Sequence, residues 1–198
     1  MFQYLISLLL GYVVLYCVVW LHEVGHAVGY VFYGCKKDWF HVTVKPYIFF
    51  STPLPIEMEK AQQLTKKQNT IISYGGVIAN LLWALVCGCV IFCFNIENVY
   101  IQIILWLFLT LHLAEIVSYM FIGNIYLVSD MEIIAALFPR LRWPNFIIGC
   151  VLTISYIFIL FQVPSEIFFI VITWNIGTIL GMCGGRIIYS MIAKKKEK

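Results

Sequence analysis

Long apolar runs constrain this chain more than any motif within it. Phe2 to Tyr33, Ile71 to Phe94, Val99 to Phe138, Asn145 to Phe161 and Ile167 to Ala193 carry few charges. A helix needs about 20 apolar residues to cross the hydrocarbon core of a bilayer. Lipid offers the backbone no hydrogen-bonding partner, so such runs must satisfy their own amides as helices. With 62% hydrophobic and 12% charged residues, the chain lacks the polar surface of a water-soluble domain. The expected fold is an all-α polytopic membrane protein of about five transmembrane helices, multi-pass in the cell membrane with the lipid bilayer as its solvent.

The connections refine this outline. Gly34 and the charges after it close the first helix. Trp39 to Phe50 is rich in aromatic and β-branched residues around Pro46, which favours a short membrane-associated β segment after the first helix. Ile56 to Asn69 is hydrophilic and reads as a short surface helix. The third run is roughly twice as long as one crossing requires, so something must interrupt it, and Gly123-Asn124 is the expected break. Residues 1–138 then form a three-span core that includes a cytosolic-side loop, 34–70. Residues 139–198 add two transmembrane helices and a basic tail. Seven cysteines are scattered through apolar runs without zinc-knuckle spacing and read as small packing residues. No cleavable signal peptide is expected, because the first apolar run lacks a basic leader.

Basic residues give the orientation. Twelve of the 13 Lys and Arg residues lie in alternate connections, between Lys36 and Lys67, at Arg140 and Arg142, and in the tail. The opposite connections carry only Glu97 and Glu166. Positive charge is retained on the cytosolic side, so the N-terminus is expected outside and the C-terminus inside. A net charge of +3 without a dense basic face gives no reason to expect nucleic acid as a partner.

Within the first run stands His22-Glu23-Val24-Gly25-His26. Residues four apart on a helix lie on one face, so His22 and His26 can share one metal ion, Zn²⁺ in hydrolases of this pattern. Glu23 is then beside the metal, suited to take a proton from a water molecule during peptide hydrolysis. Zinc in such sites takes three protein ligands. Counting about 1.5 Å per residue from the cytosolic ends of the runs puts His26, Asn80 and Asp130 roughly 10–14 Å deep, in one layer. Asp130 is the expected third ligand. Glu115, which shares a helical face with His112, is its rival and the mark of a membrane metalloprotease of another architecture. Glu132 and Arg186 lie near the same depth, close enough in level to pair, and are expected to serve structure. Gly25 and Gly29 form a small-residue face that admits a neighbouring helix close to the motif.

His22-Glu23-Val24-Gly25-His26, Gly76-Val77-Ile78-Ala79-Asn80, and Asn124 with Asp130 together resemble the site-2 protease family of intramembrane zinc metalloproteases. Val77 stands where that family has proline, and Met131 where it has glycine. The resemblance covers roughly Phe2 to Phe138. It implies zinc ligation by His22, His26 and Asp130, with Glu23 as catalytic base and Asn80 as substrate-positioning or oxyanion donor. Asn124 would contact substrate, and the substrate would be a transmembrane protein or peptide. A non-proteolytic metal-binding membrane protein is the alternative from a different class. Cysteine-accessibility labelling of the Lys36 to Lys67 connection is expected to report it on the cytosolic side; labelling from outside would overturn the topology.

Overall fold

The apolar runs form helices whose ends are set by local chemistry. The computed structural model describes residues 2–48 and 51–196. Helix α1 spans Phe2–Phe32. It ends where Gly34 turns left-handed (φ 72°), the Cys35 amide donating to the Tyr30 carbonyl at 2.8 Å and the Gly34 amide to Val31 at 3.0 Å. That pair of hydrogen bonds is the usual glycine stop of a helix. A single turn, α2 (Met58–Gln62), precedes α3 (Lys66–Cys93), which begins five residues before Ile71, inside the hydrophilic stretch. Thr65 and Gln68 close a capping box at its start. Asn98 caps α4 (Val99–Ile116) by accepting from the amides of Tyr100 and Ile101.

Beyond α4 the helix widens into a π segment, Val117–Ile122, and tightens again as α5, Gly123–Tyr126. The break in the long third run therefore falls at Leu127, not at Gly123-Asn124, both of which stay helical. Leu127 is left-handed (φ 51°, ψ 69°), and the Val128 amide donates to the Gly123 carbonyl at 3.1 Å. Ser129, also at positive φ, opens α6 (Ser129–Leu137). Left-handed backbone costs an ordinary residue about 1–2 kcal/mol. Two such residues flank Val128, and together they reverse the chain so that α6 carries Asp130 back toward α1. After a 3₁₀ turn at Pro139–Leu141, α7 (Arg142–Leu160) and α8 (Ser165–Thr178) follow. A second π segment, Ile179–Cys183, joins α8 to α9 (Gly184–Lys196).

Five helices among the described residues are long and apolar enough to cross a membrane: Leu5–Phe32, Lys66–Cys93, Val99–Tyr126, Pro139–Leu160 and Ser165–Ile192. The third is central, with 72% of its apolar window buried inside the protein against 17% for Pro139–Leu160. Polar side chains tie the last helices to it. Asn175 of α8 donates to Thr110 of α4 at 2.9 Å and accepts from the Tyr156 hydroxyl of α7 at 3.0 Å.

No strand forms among the described residues. The β segment expected at Trp39 to Phe50 is reduced to one antiparallel bridge, Thr43 with Thr52, whose amides and carbonyls exchange bonds of 2.9 Å; Phe49 and Phe50 lie outside the described residues. Pro46 and the turn at Ile48 (φ 69°) prevent a longer ladder. The segment is nonetheless a hairpin, and it re-enters the helical layer. Tyr12 donates to the Pro46 carbonyl, and Tyr16 to the Val44 carbonyl at 3.4 Å. Tyr12 lies 22 residues before Gly34, about 33 Å along α1. Lys45 is thereby carried away from the C-terminal end of α1, so the alternation of basic residues rests on the others. At the hairpin base Lys36 is buried and donates to the carbonyls of His41 (2.6 Å) and Pro55 (2.8 Å). Burial lowers its pKa from the usual lysine value, against the pull of Asp38.

The tightest crossing is between α1 and α3. A Cβ on Gly25 would run into the Gly75 carbonyl, and one on Gly29 would come within 2.9 Å of Ile72 Cγ1. Gly25→Leu is expected to cost at least roughly 1–3 kcal/mol of stability as overpacking. This reads as a lower melting temperature of the detergent-solubilised protein. Gly177→Ala is the control: its Cβ meets nothing within 4 Å, and the melting temperature should hold or rise.

Candidate metal centre

Because His22 and His26 are one turn apart on α1, their rings meet edge to face, with centroids 4.8 Å apart at 79°. Their Nε2 atoms are separated by 3.1 Å. Asp130 Oδ2, delivered by the Leu127 turn, stands 3.4 Å from each of them. Oδ2 is buried and accepts no hydrogen bond. Bonds of about 2.0–2.1 Å in a tetrahedron imply ligand-to-ligand edges of about 3.3–3.4 Å. The three atoms thus outline one face of a tetrahedral metal site, and this cluster could hold a metal ion.

The surroundings orient each ligand. His26 Nδ1–H donates to the Ile72 carbonyl of α3 at 2.7 Å, which leaves the Nε2 lone pair facing the centre. Asn80 meets His22 Nδ1 at 3.1 Å. Tyr119 lies flat on the His22 ring, centroids 4.4 Å apart at 10°. Gly76 leaves the space the rings occupy, since a Cβ there would fall 2.6 Å from His26 Nε2.

Glu23 and Asp130 place two carboxyl groups beside the two imidazoles in an apolar layer. Uncompensated charge at this depth is costly. Another acid of the layer, Glu115, pairs with Arg186 at 2.9 Å. Arg186 also donates to Ser118 and stacks on Tyr119, its guanidinium carbon 4.1 Å from the ring centroid.

Glu23, His22, His26 and Asp130 line one cavity of about 580 Å³, within the range of small-ligand sites. The hairpin closes one side of it with Ile48, Ser51 and Pro53, and α9 another with Arg186 and Tyr189.

The structure brings His22, Glu23, His26 and Asp130 together and leaves two expected partners outside. Asn80 is fully buried behind His22, with its amide also 3.0 Å from His112. It does not reach the cavity. Asn124 donates to the Arg142 carbonyl at 3.1 Å and anchors the start of α7. Glu115 is turned to Arg186 and does not converge with the histidines. Tyr119 and the wall from α9 escaped the sequence reading. Tyr119 could have been found four residues after Glu115, on the same helical face.

Comparison with protein-family models, curated proteins and solved structures returns no match, so the chemistry of the site rests on its own residues. Asp130→Ala is expected to lose stoichiometric zinc from the purified protein, whereas Glu115→Ala keeps it. Elemental analysis after gel filtration reads both, and the reverse result would move the third ligand to Glu115.

Proposed function

We propose that this protein is an intramembrane zinc metalloprotease that hydrolyses a peptide bond in or next to a transmembrane segment of a membrane protein or peptide. The observation that carries the reading is the His22, His26 and Asp130 triangle of tetrahedral edge length opening, beside Glu23, on a cavity among apolar helices. Two imidazoles and one carboxylate form a nitrogen and oxygen donor set suited to zinc, with a fourth position left for water or substrate. Zinc bound there supplies a Lewis acid that polarises a peptide carbonyl and acidifies water.

The chain's own residues do the rest. Glu23, one residue along the helix from His22, accepts the proton that the attacking water loses and delivers it to the nitrogen of the departing amine. The low polarity of the layer strengthens each of these interactions. A transmembrane helix hides its amides, so the substrate must unwind before its carbonyl can reach the centre. Ile48, Ser51 and Pro53 of the hairpin wall the cavity, beside the path by which an unwound segment would enter. Asn80, with both amide atoms engaged inside the protein, takes the work of orienting His22 in place of the oxyanion role implied by the resemblance. The order of HExxH, Asn80 and Asp130 remains that of the site-2 protease family, and the substrate class follows from it. Zn²⁺ is the cofactor of this reading, and the cell membrane, with the N-terminus outside, is its location.

Co-expression with candidate membrane peptides, followed by mass spectrometry, tests the proposal. Wild type is expected to cleave at least one peptide, and Glu23→Gln to bind normal zinc while cleaving about 10²–10⁴-fold more slowly. Full cleavage by Glu23→Gln would sink the mechanism. Zinc occupancy without cleavage of any membrane peptide would favour a non-proteolytic metal-binding protein.

A further inference from the structure

Behind His22 a line of three side chains runs from α1 through α3 to α4. Asn80 Nδ2 lies 3.1 Å from His22 Nδ1, and Asn80 Oδ1 lies 3.0 Å from His112 Nδ1. Asn80 and His112 are fully buried, and His112 Nε2 has no hydrogen-bond partner. Bulk solvent touches neither of these two side chains, so the three groups arrange the protons along the line.

A neutral imidazole has one N–H and one bare nitrogen, and an amide has one donor end and one acceptor end. Two arrangements satisfy the line. In the first, His112 Nδ1–H donates to the Asn80 oxygen, the Asn80 amide nitrogen donates to His22 Nδ1, and His22 carries its proton on Nε2. That proton points at Asp130 and occupies the lone pair a metal would use. In the second, the amide is turned over. His22 Nδ1–H donates to the Asn80 oxygen, the amide nitrogen donates to bare His112 Nδ1, and His112 holds its proton on Nε2. Only the second leaves His22 Nε2 free to ligate.

We propose that Asn80 and His112 form a relay that sets the tautomer of His22, and that zinc loading turns the relay over. The inference rests on the metal reading above and extends it to two positioning residues. Neither touches the metal or the substrate. The number of protons on the two rings is the same in both arrangements, so the relay shifts protons without releasing any. The unpartnered His112 Nε2 favours the first arrangement while the centre is empty, because a buried bare nitrogen is easier to leave unpaired than a buried N–H. Metal ligation pulls the line to the second.

Zinc affinity of the full-length protein in nanodiscs, measured by competition with a chelator, tests this. His112→Leu leaves the Asn80 amide without an acceptor and is expected to weaken zinc binding about 10–100-fold. His112→Asn restores an acceptor oxygen where Nδ1 stood and should recover most of the loss. Asn80→Leu should bind weakly. Asn80→Asp should bind as tightly as wild type or tighter, because a carboxylate accepts Nδ1–H from both histidines and holds His22 in its ligating form. In protein labelled with ¹⁵N-histidine, adding zinc should move the His112 proton from Nδ1 to Nε2.

Zinc affinity indifferent to residue 112, in variants with wild-type helical content, overturns the relay and leaves the metal centre standing. Equal losses in His112→Asn and His112→Leu, or loss in Asn80→Asp, also overturn it. A wild type that takes up no zinc overturns the metal centre itself, and the relay with it.

Discussion

The site depends on the backbone contact between Gly25 and Gly75. With no side chain on either residue, α1 and α3 approach until carbonyl and Cα touch. In lipid, helices gain nothing from burying apolar surface against one another, so close packing of small residues is a main source of association. That approach brings the Ile72 carbonyl within 2.7 Å of His26 Nδ1 and lets Asn80 reach His22. Gly76, the next residue, supplies the room for both imidazoles. A larger residue at any of these positions would push the rings off the line on which Asp130 meets them.

The second organising force is the cost of charge at membrane depth. Each ionisable group in the helical layer must find a partner there, and the described groups gather into two neighbouring clusters. Glu115 and Arg186 neutralise each other between α4 and α9, with Ser118 sharing the guanidinium. Asp130 and Glu23 gather around the imidazoles of His22 and His26. Tyr119, with His22 on one side and Arg186 on the other, joins the two clusters. Both π segments lie beside this junction, and Cys183 of one reaches Ser118 of the other at 3.0 Å. The last helix is thus a wall of the cavity as well as an additional span.

Much of this architecture is legible in the sequence because lipid removes alternatives. An apolar run of sufficient length has to be a helix, so the spans were readable from composition and length. Asp130 could be matched to His22 and His26 because a helix converts residue number into depth at a fixed rate. The same arithmetic put Asn80 in the layer but could not assign its job, since depth says nothing about direction around the helix. Asn80 points to His112, and Asn124 points to Arg142. The hairpin was harder. Its β-branched and aromatic residues read as strand, whereas its carbonyls are satisfied by Tyr12 and Tyr16 of α1, partners about thirty residues earlier in the chain.

The sequence by itself determined the number of apolar helices, the pairing of His22 with His26 and the presence of Asp130 at their level. These follow from local periodicity and from the absence of water to hydrogen-bond the backbone. Only the tertiary structure decided where the third run breaks, which buried acid faces the histidines and which faces Arg186, and what stands behind each ring. Those outcomes depend on how α1, α3 and α4 are rotated about their own axes. That rotation is set by contacts between side chains far apart in the chain, through glycines whose role appears only once two helices touch.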